Sequence, residues 1–153
     1  IHAAAELVGN ERVPISKLVG KLKDQDSGVR FWAATALLAR GADAEPAAEA
    51  LTEALVDESP SVQIAAAEAL CALDRSERAL PILAKWVDDD QVTIALHAAR
   101  TIQLIGSDAK PLVPVMKRVI NPRMQAFRVR LAFDEDQLAF LSNLGVTVRS
   151  QAE

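Results

Sequence analysis

Few side chains in this sequence have the chemistry to make or break a bond. There is one cysteine, Cys71, and there are two histidines, His2 and His97. A thiol attacks as the thiolate, which needs a cation, a metal or a helix N-terminus to lower its pKa. Cys71 falls instead in the run AAAEALCAL, in the middle of a helical pattern, where a cysteine packs as a small inert hydrophobe. The histidines are too far apart in the pattern to share a metal ion. Asp88-Asp89-Asp90 lacks the glycine and the closing glutamate of a calcium loop. It reads as a turn whose charge favours the start of the next helix. No glycine-rich phosphate loop or dinucleotide fingerprint is present. The residues therefore predict no catalytic group, no metal and no cofactor.

Two partner classes are excluded on similar grounds. Arg118, Arg123, Arg128 and Arg130 form a basic cluster, but the net charge is −4 and acidic turns lie elsewhere. Phosphate-backbone binding needs a basic surface, so nucleic acid is not an expected partner. Those arginines are read as solubilising the C-terminal region or pairing with Asp134, Glu135 and Asp136. No run of about 18 apolar residues occurs, and no membrane span is predicted.

The elements that position these groups follow from composition and repetition. Half of the residues are hydrophobic but only 4% are aromatic, with no tyrosine. Alanine, leucine and valine suit closely packed helices better than a sheet. The stretch Asp57–Leu73, DESPSVQIAAAEALCAL, has a copy on either side: DQDSGVRFWAATALLAR from Asp24 and DDQVTIALHAARTIQLI from Asp89. Each copy is preceded by a shorter amphipathic helix: Val13–Leu22, Glu45–Val56 and Arg78–Val87, with Ala109–Ile120 opening a fourth unit. Ser27 and Ser61 are read as caps of the second helices. Leu18, Leu51, Leu83 and Val115 share one position, and Leu22, Leu55, Val87 and Val119 another, with Pro111 also in register. Ala33, Ala66 and Ala98 recur on the second helices, which end at Gly41, Asp74 and Gly106.

Helix pairs at this period stack into an all-α superhelix (a solenoid), because no single pair buries its apolar stripe. The expected units are about 13–41, 45–74, 78–106 and 109–133, followed by a capping helix over 134–145 and a tail over 146–153. In the fourth unit Arg128 and Arg130 interrupt the small-residue face of 126–133. The opening stretch His2–Val8 is helical in pattern without a cap, so the sequence is read as a piece of a longer chain.

Paired helices of this length, joined by an Asp-containing turn and followed by Val, small residues and Leu, resemble HEAT repeats of the bacterial, PBS-lyase-like kind. The resemblance covers roughly Val13–Val119. A narrower one rests on DSGVRFWAATALLARG, LVDESPSVQIAAAEAL and RALPILAKW, which are similar to the segment after the catalytic domain of many secreted bacterial sulfatases. It implies an accessory region in a periplasmic or extracellular enzyme, whose formylglycine and calcium ion lie elsewhere. The sulfatase modification signature is Cys-x-Pro-x-Arg. Cys71-Ala72-Leu73-Asp74-Arg75 keeps the spacing but has Leu73 in place of proline, inside a repeat helix. No catalytic residue carries over.

One face of the second helices is the candidate site. Phe31, Thr35 and Leu38 lie at helical spacing away from Val29, Ala33 and Ala36. The equivalent residues are Ile64, Glu68 and Cys71, then Leu96, Arg100 and Gln103. An apolar strip with a polar centre suits protein docking, the expected partner being an upstream catalytic domain of the same chain. The alternative is that the strip packs against neighbouring repeats. Glu68 and Arg100 are expected to approach across the repeat boundary, and Trp32 and Trp86 to fill repeat interfaces. A free-standing adaptor is the second functional reading. A bilin lyase or DNA glycosylase of HEAT type is the third, although neither a pigment-sized cleft nor an acidic residue in a basic groove is visible.

Overall fold

Aspartates mark the turns before the second helices. In the computed structural model, which describes residues 13–119, the three repeated turns are closed in the same way. The carboxylates of Asp24, Asp57 and Asp89 accept the backbone N–H two residues on, at 3.1, 2.8 and 2.9 Å. This Asx turn reverses the chain and leaves the following residues free to enter a helix.

The elements run α1 (Ile15–Lys21), α2 (Ser27–Ala39), a 3-10 segment (Gly41–Ala47), α3 (Ala48–Ala54), α4 (Pro60–Ala72), α5 (Ser76–Val87), α6 (Val92–Leu104) and a second 3-10 segment (Gly106–Leu112). Residues 113–119 continue as α-helix. Among the described residues there is no strand. The expected all-α arrangement of stacked helix pairs is the observed one, with α2, α4 and α6 as the second helices.

Two expected caps move. Asp26 accepts the Gly28 N–H at 2.7 Å, so Asp26 caps α2 and Ser27 is its first residue. α4 begins at Pro60, whose fixed φ and missing N–H suit the first helical position, so Ser61 lies inside the helix. The second helices end as expected, through a left-handed residue: Gly41 (φ 52°), Asp74 (φ 58°) and Gly106 (φ 59°). At Asp74 the turn is a Schellman motif. Asp74 N–H donates to the Cys71 carbonyl at 3.1 Å, and Arg75 N–H to that of Leu70 at 2.9 Å.

The core follows the repeat. Leu18, Leu51 and Leu83 are fully buried, and Leu22, Leu55 and Val87 nearly so. The fourth unit shifts by one residue. Its inward residues are Ala109, Leu112 and Met116, whereas Pro111 is exposed and Val115 and Val119 are only half-buried. The reason is local. GSDAKPL repeats GADAEPA, and both form 3-10 turns, so Ala109, Leu112 and Met116 match Ala44, Ala47 and Leu51. In α4 burial extends all round: Val62, Ala66, Ala69 and Leu70 face the first helices, while Ile64, Ala65, Ala67 and Cys71 are also buried. A helix apolar on every side belongs between neighbours, and α4 packs against α2, α3, α5 and α6. The stretch His2–Val8, the segment 126–133, the cap 134–145 and the tail 146–153 lie outside the described residues, as do Arg123, Arg128 and Arg130.

Candidate interaction face

Buried polar side chains that sequence reasoning missed join neighbouring repeats, Arg30 first among them. Arg30, at the start of α2, is only 7% exposed. Its Nε and Nη2 donate to the two Asp57 oxygens at 2.7 and 2.9 Å, and Nη2 also reaches Glu58 at 3.1 Å. Its Nη1 donates to the backbone carbonyls of Asp24 and Gln25 at 2.9 and 3.0 Å. The guanidinium therefore ties its own turn to the turn of the next unit. Hydrogen bonds to Asp57 hold Arg30 above its already high value. Burial alone would raise the Asp57 carboxyl, but Arg30 and the Ser59 N–H outweigh it and keep the group below its usual range. The signal was an arginine one residue after Val29, opposite a repeated aspartate.

The same position in α4 is Gln63, which bridges differently. Its Nε2 donates to the Asp57 carbonyl, and its Oε1 accepts the Trp86 indole N–H at 2.8 Å. Trp86 thus links α4 and α5, with the Lys85 ammonium 3.9 Å from its ring centre. Ala95 holds the position in α6, where the side chain has no polar reach.

The proposed strip is best read by comparing its three copies. On α2, Phe31, Thr35 and Leu38 are half-buried. On α4, Ile64 is fully buried, Cys71 is 7% exposed and Glu68 is half-buried. On α6, Leu96 is 42% exposed, Arg100 is exposed and Gln103 is half-buried. Ile64 and Cys71 are therefore unavailable to a partner. Their side of α4 is turned toward the following repeat rather than toward solvent. Contacts between copies fix that direction. The Thr101 hydroxyl of α6 donates to Glu68 at 3.1 Å, and Phe31 meets His97 edge-on with ring centres 6.0 Å apart. Trp32 and His97 share a register position with Ala65 between them. Phe31 also meets its chain neighbour Trp32 edge-on, with ring centres 5.3 Å apart. Glu68 takes its hydrogen bond from Thr101, the residue after Arg100, because the repeat offset places Thr101 nearer the boundary.

What remains open is the row turned away from the first helices, where Thr35, Glu68 and Arg100 follow one another with small neighbours. Thr35 spends its hydroxyl on the Phe31 carbonyl at 3.0 Å. No two of the three form a nucleophile–base pair. Burial pushes the Cys71 thiol up, and hydrogen bonding with Ser76 offsets only part of that, so the thiol stays protonated. Burial lowers the His97 imidazole, with Glu68 offsetting part. Among the described residues there is no group of three His, Cys, Asp or Glu side chains placed to hold a metal. No helix there is long and apolar enough to cross a membrane. A shallow cleft of about 280 Å³ lies between α1 and α3, lined by Leu22, Ala50 and Ala54 and bordered by the exposed Lys23–Glu53 pair at 3.0 Å.

The family profile described as HEAT repeats matches residues 15–104 and again 48–122. The chain belongs to the HEAT-repeat family. No curated protein matches it. HEAT repeats are generally scaffolds for protein interactions, and in this stack the Arg30–Asp57, Gln63–Trp86 and Glu68–Thr101 contacts hold one copy to the next.

Proposed function

We propose that this HEAT array is a rigid, non-catalytic support that docks another protein domain along the row Thr35, Glu68 and Arg100. The observation that carries the reading is the Arg30–Asp57 clasp, which spends a buried charge pair on fixing one repeat against the next. Buried ion pairs add little net stability but hold a geometry when fully hydrogen-bonded. A support benefits from fixed spacing more than from extra stability. The partner we favour is the catalytic domain of a secreted bacterial sulfatase on the same chain, on the strength of the stretches 26–41, 55–70 and 78–86. The contribution of this region would be burial and alignment, with no chemistry of its own.

The reading frame upstream of Ile1 is the first test. A sulfatase-type catalytic domain with its own Cys-x-Pro-x-Arg is expected there, and any other domain removes the sulfatase reading while leaving the scaffold intact. In the joined protein, Thr35→Arg should lower the thermal midpoint of the catalytic domain and leave that of the isolated repeats in place. An unchanged catalytic-domain midpoint would count against this docking row.

A further inference from the structure

Rings are scarce in this protein and unevenly placed. Among the described residues only Phe31, Trp32 and Trp86 carry a phenyl or indole group. Trp86 is engaged, its N–H donating to Gln63 and the Lys85 ammonium lying 3.9 Å from its ring centre. Phe31 and Trp32 are half-buried and stand edge-on to each other at 74°. His97 of α6, also half-buried, meets Phe31 at 66°. Helices α2 and α6 thus bring three rings together with part of their surface still open. Glu68 of α4 borders them. Its Oε2 accepts the hydroxyl of Thr101, which lies one turn after His97. Its Oε1 takes no hydrogen bond, and the carboxylate has no ion-pair partner among the described residues. Every buried side-chain oxygen there has a partner, so Oε1 reaches solvent.

An open carboxylate beside aromatic rings selects a cation, and a flat one best. A guanidinium stacks on a ring while its N–H groups donate to an oxygen, whereas an ammonium is compact and more strongly hydrated. The row's own arginine, Arg100, is exposed and pairs with no carboxylate among the described residues, so it does not neutralise Glu68. His97 adds a ring rather than a rival charge, because burial lowers its imidazole below the ordinary 6.5 and keeps it neutral at pH 7. We propose that Phe31, His97 and Glu68 together bind an arginine side chain of the docked domain, an assignment that rests on the docking row proposed above. The guanidinium lies against the rings and donates to Glu68 Oε1. The chain already uses each half of this arrangement separately, with Arg30 on the Asp57 carboxylate and Lys85 on the Trp86 ring.

Titration of the full chain with N-acetylarginine amide, followed by proton–nitrogen correlation NMR, decides this. The Trp32 indole N–H and the amides of Phe31, Glu68 and His97 should shift and saturate together, while the Trp86 indole N–H stays in place. The corresponding amides of lysine and of uncharged citrulline should each bind at least about threefold more weakly. Glu68→Gln keeps an oxygen for the Thr101 hydroxyl but removes the charge, and should weaken arginine binding by at least about threefold. Phe31→Leu, which keeps apolar bulk but removes the ring, should do the same. Shifts that never saturate, that citrulline or lysine reproduces in full, or that Glu68→Gln leaves unchanged would overturn the proposal. Those results would leave the docking row itself standing, since Thr35→Arg tests it in the joined protein without any added arginine compound.

Discussion

The Arg30 guanidinium meets the Asp57 carboxylate through two hydrogen bonds, with both side chains at most 10% exposed. Removing one partner would leave the other charged and buried, which typically costs about 3–5 kcal/mol. Arg30→Met is therefore expected to lower stability by about that amount, read from the urea midpoint at constant slope. Asp57→Asn keeps an oxygen for the Ser59 N–H, so it should cost less. Combined with Arg30→Met it should add little further. Fully additive losses in the double mutant would mean that the two residues are not coupled.

Asp74 occupies a left-handed backbone position that the two equivalent repeat ends give to glycine. An L-residue there places its Cβ against the backbone, at a cost of roughly 1–2 kcal/mol that aspartate only partly avoids. Glycine also has more freedom to lose on folding. Asp74→Gly should thus stabilise the chain by about 0.5–1 kcal/mol, whereas Gly41→Ala and Gly106→Ala should destabilise it. Thermal melts of the three variants make the comparison. A lower midpoint for Asp74→Gly would show that the carboxylate itself contributes.

His97 sits between the Phe31 ring and Glu68, and burial lowers its pKa below the ordinary value of 6.5. With the folded pKa depressed, the unfolded chain binds the proton more readily. Stability should hold above about pH 6.5, fall as the pH drops below it, and level off beneath the folded pKa. His97→Phe, which keeps a ring against Phe31, should flatten that window. Glu68→Gln removes the compensating carboxylate and should steepen it. Denaturant midpoints between pH 4.5 and 7.5 would show both effects. An identical slope in wild type and His97→Phe would place the titration elsewhere.

How much of this was legible depends on whether a signal was periodic. Three copies of one pattern specify Leu18, Leu51 and Leu83 as core and Asp24, Asp57 and Asp89 as turns, because each copy repeats the evidence. The fourth unit slipped by one residue, since a 3-10 turn advances differently from an α-helix and Pro111 does not announce which one it starts. The Arg30 clasp was missed because it is not repeated: Gln63 and Ala95 hold its position in the next two copies. The candidate face was only partly legible, for another reason. Helical spacing says which residues share a side, but not whether that side meets solvent or the next helix. Phe31, Ile64 and Leu96 are one position in sequence and three environments in the structure.

Ile64 provides the sharpest test of that distinction. If its side of α4 were a docking surface, shortening it would weaken a partner's binding and leave the isolated chain stable. Full burial between α2 and α6 predicts the reverse. Ile64→Ala removes three carbons from a fully buried site on a helix packed against four others. Such changes cost about 2–5 kcal/mol, toward the upper end where the cavity cannot collapse. Thr35→Ala, on the open row, loses only a local bond to the Phe31 carbonyl and should stay within about 0.5 kcal/mol. Urea unfolding of the two variants without any partner separates the cases. Equal midpoints would mean that α4 is not enclosed as described, and the stack would need a different register.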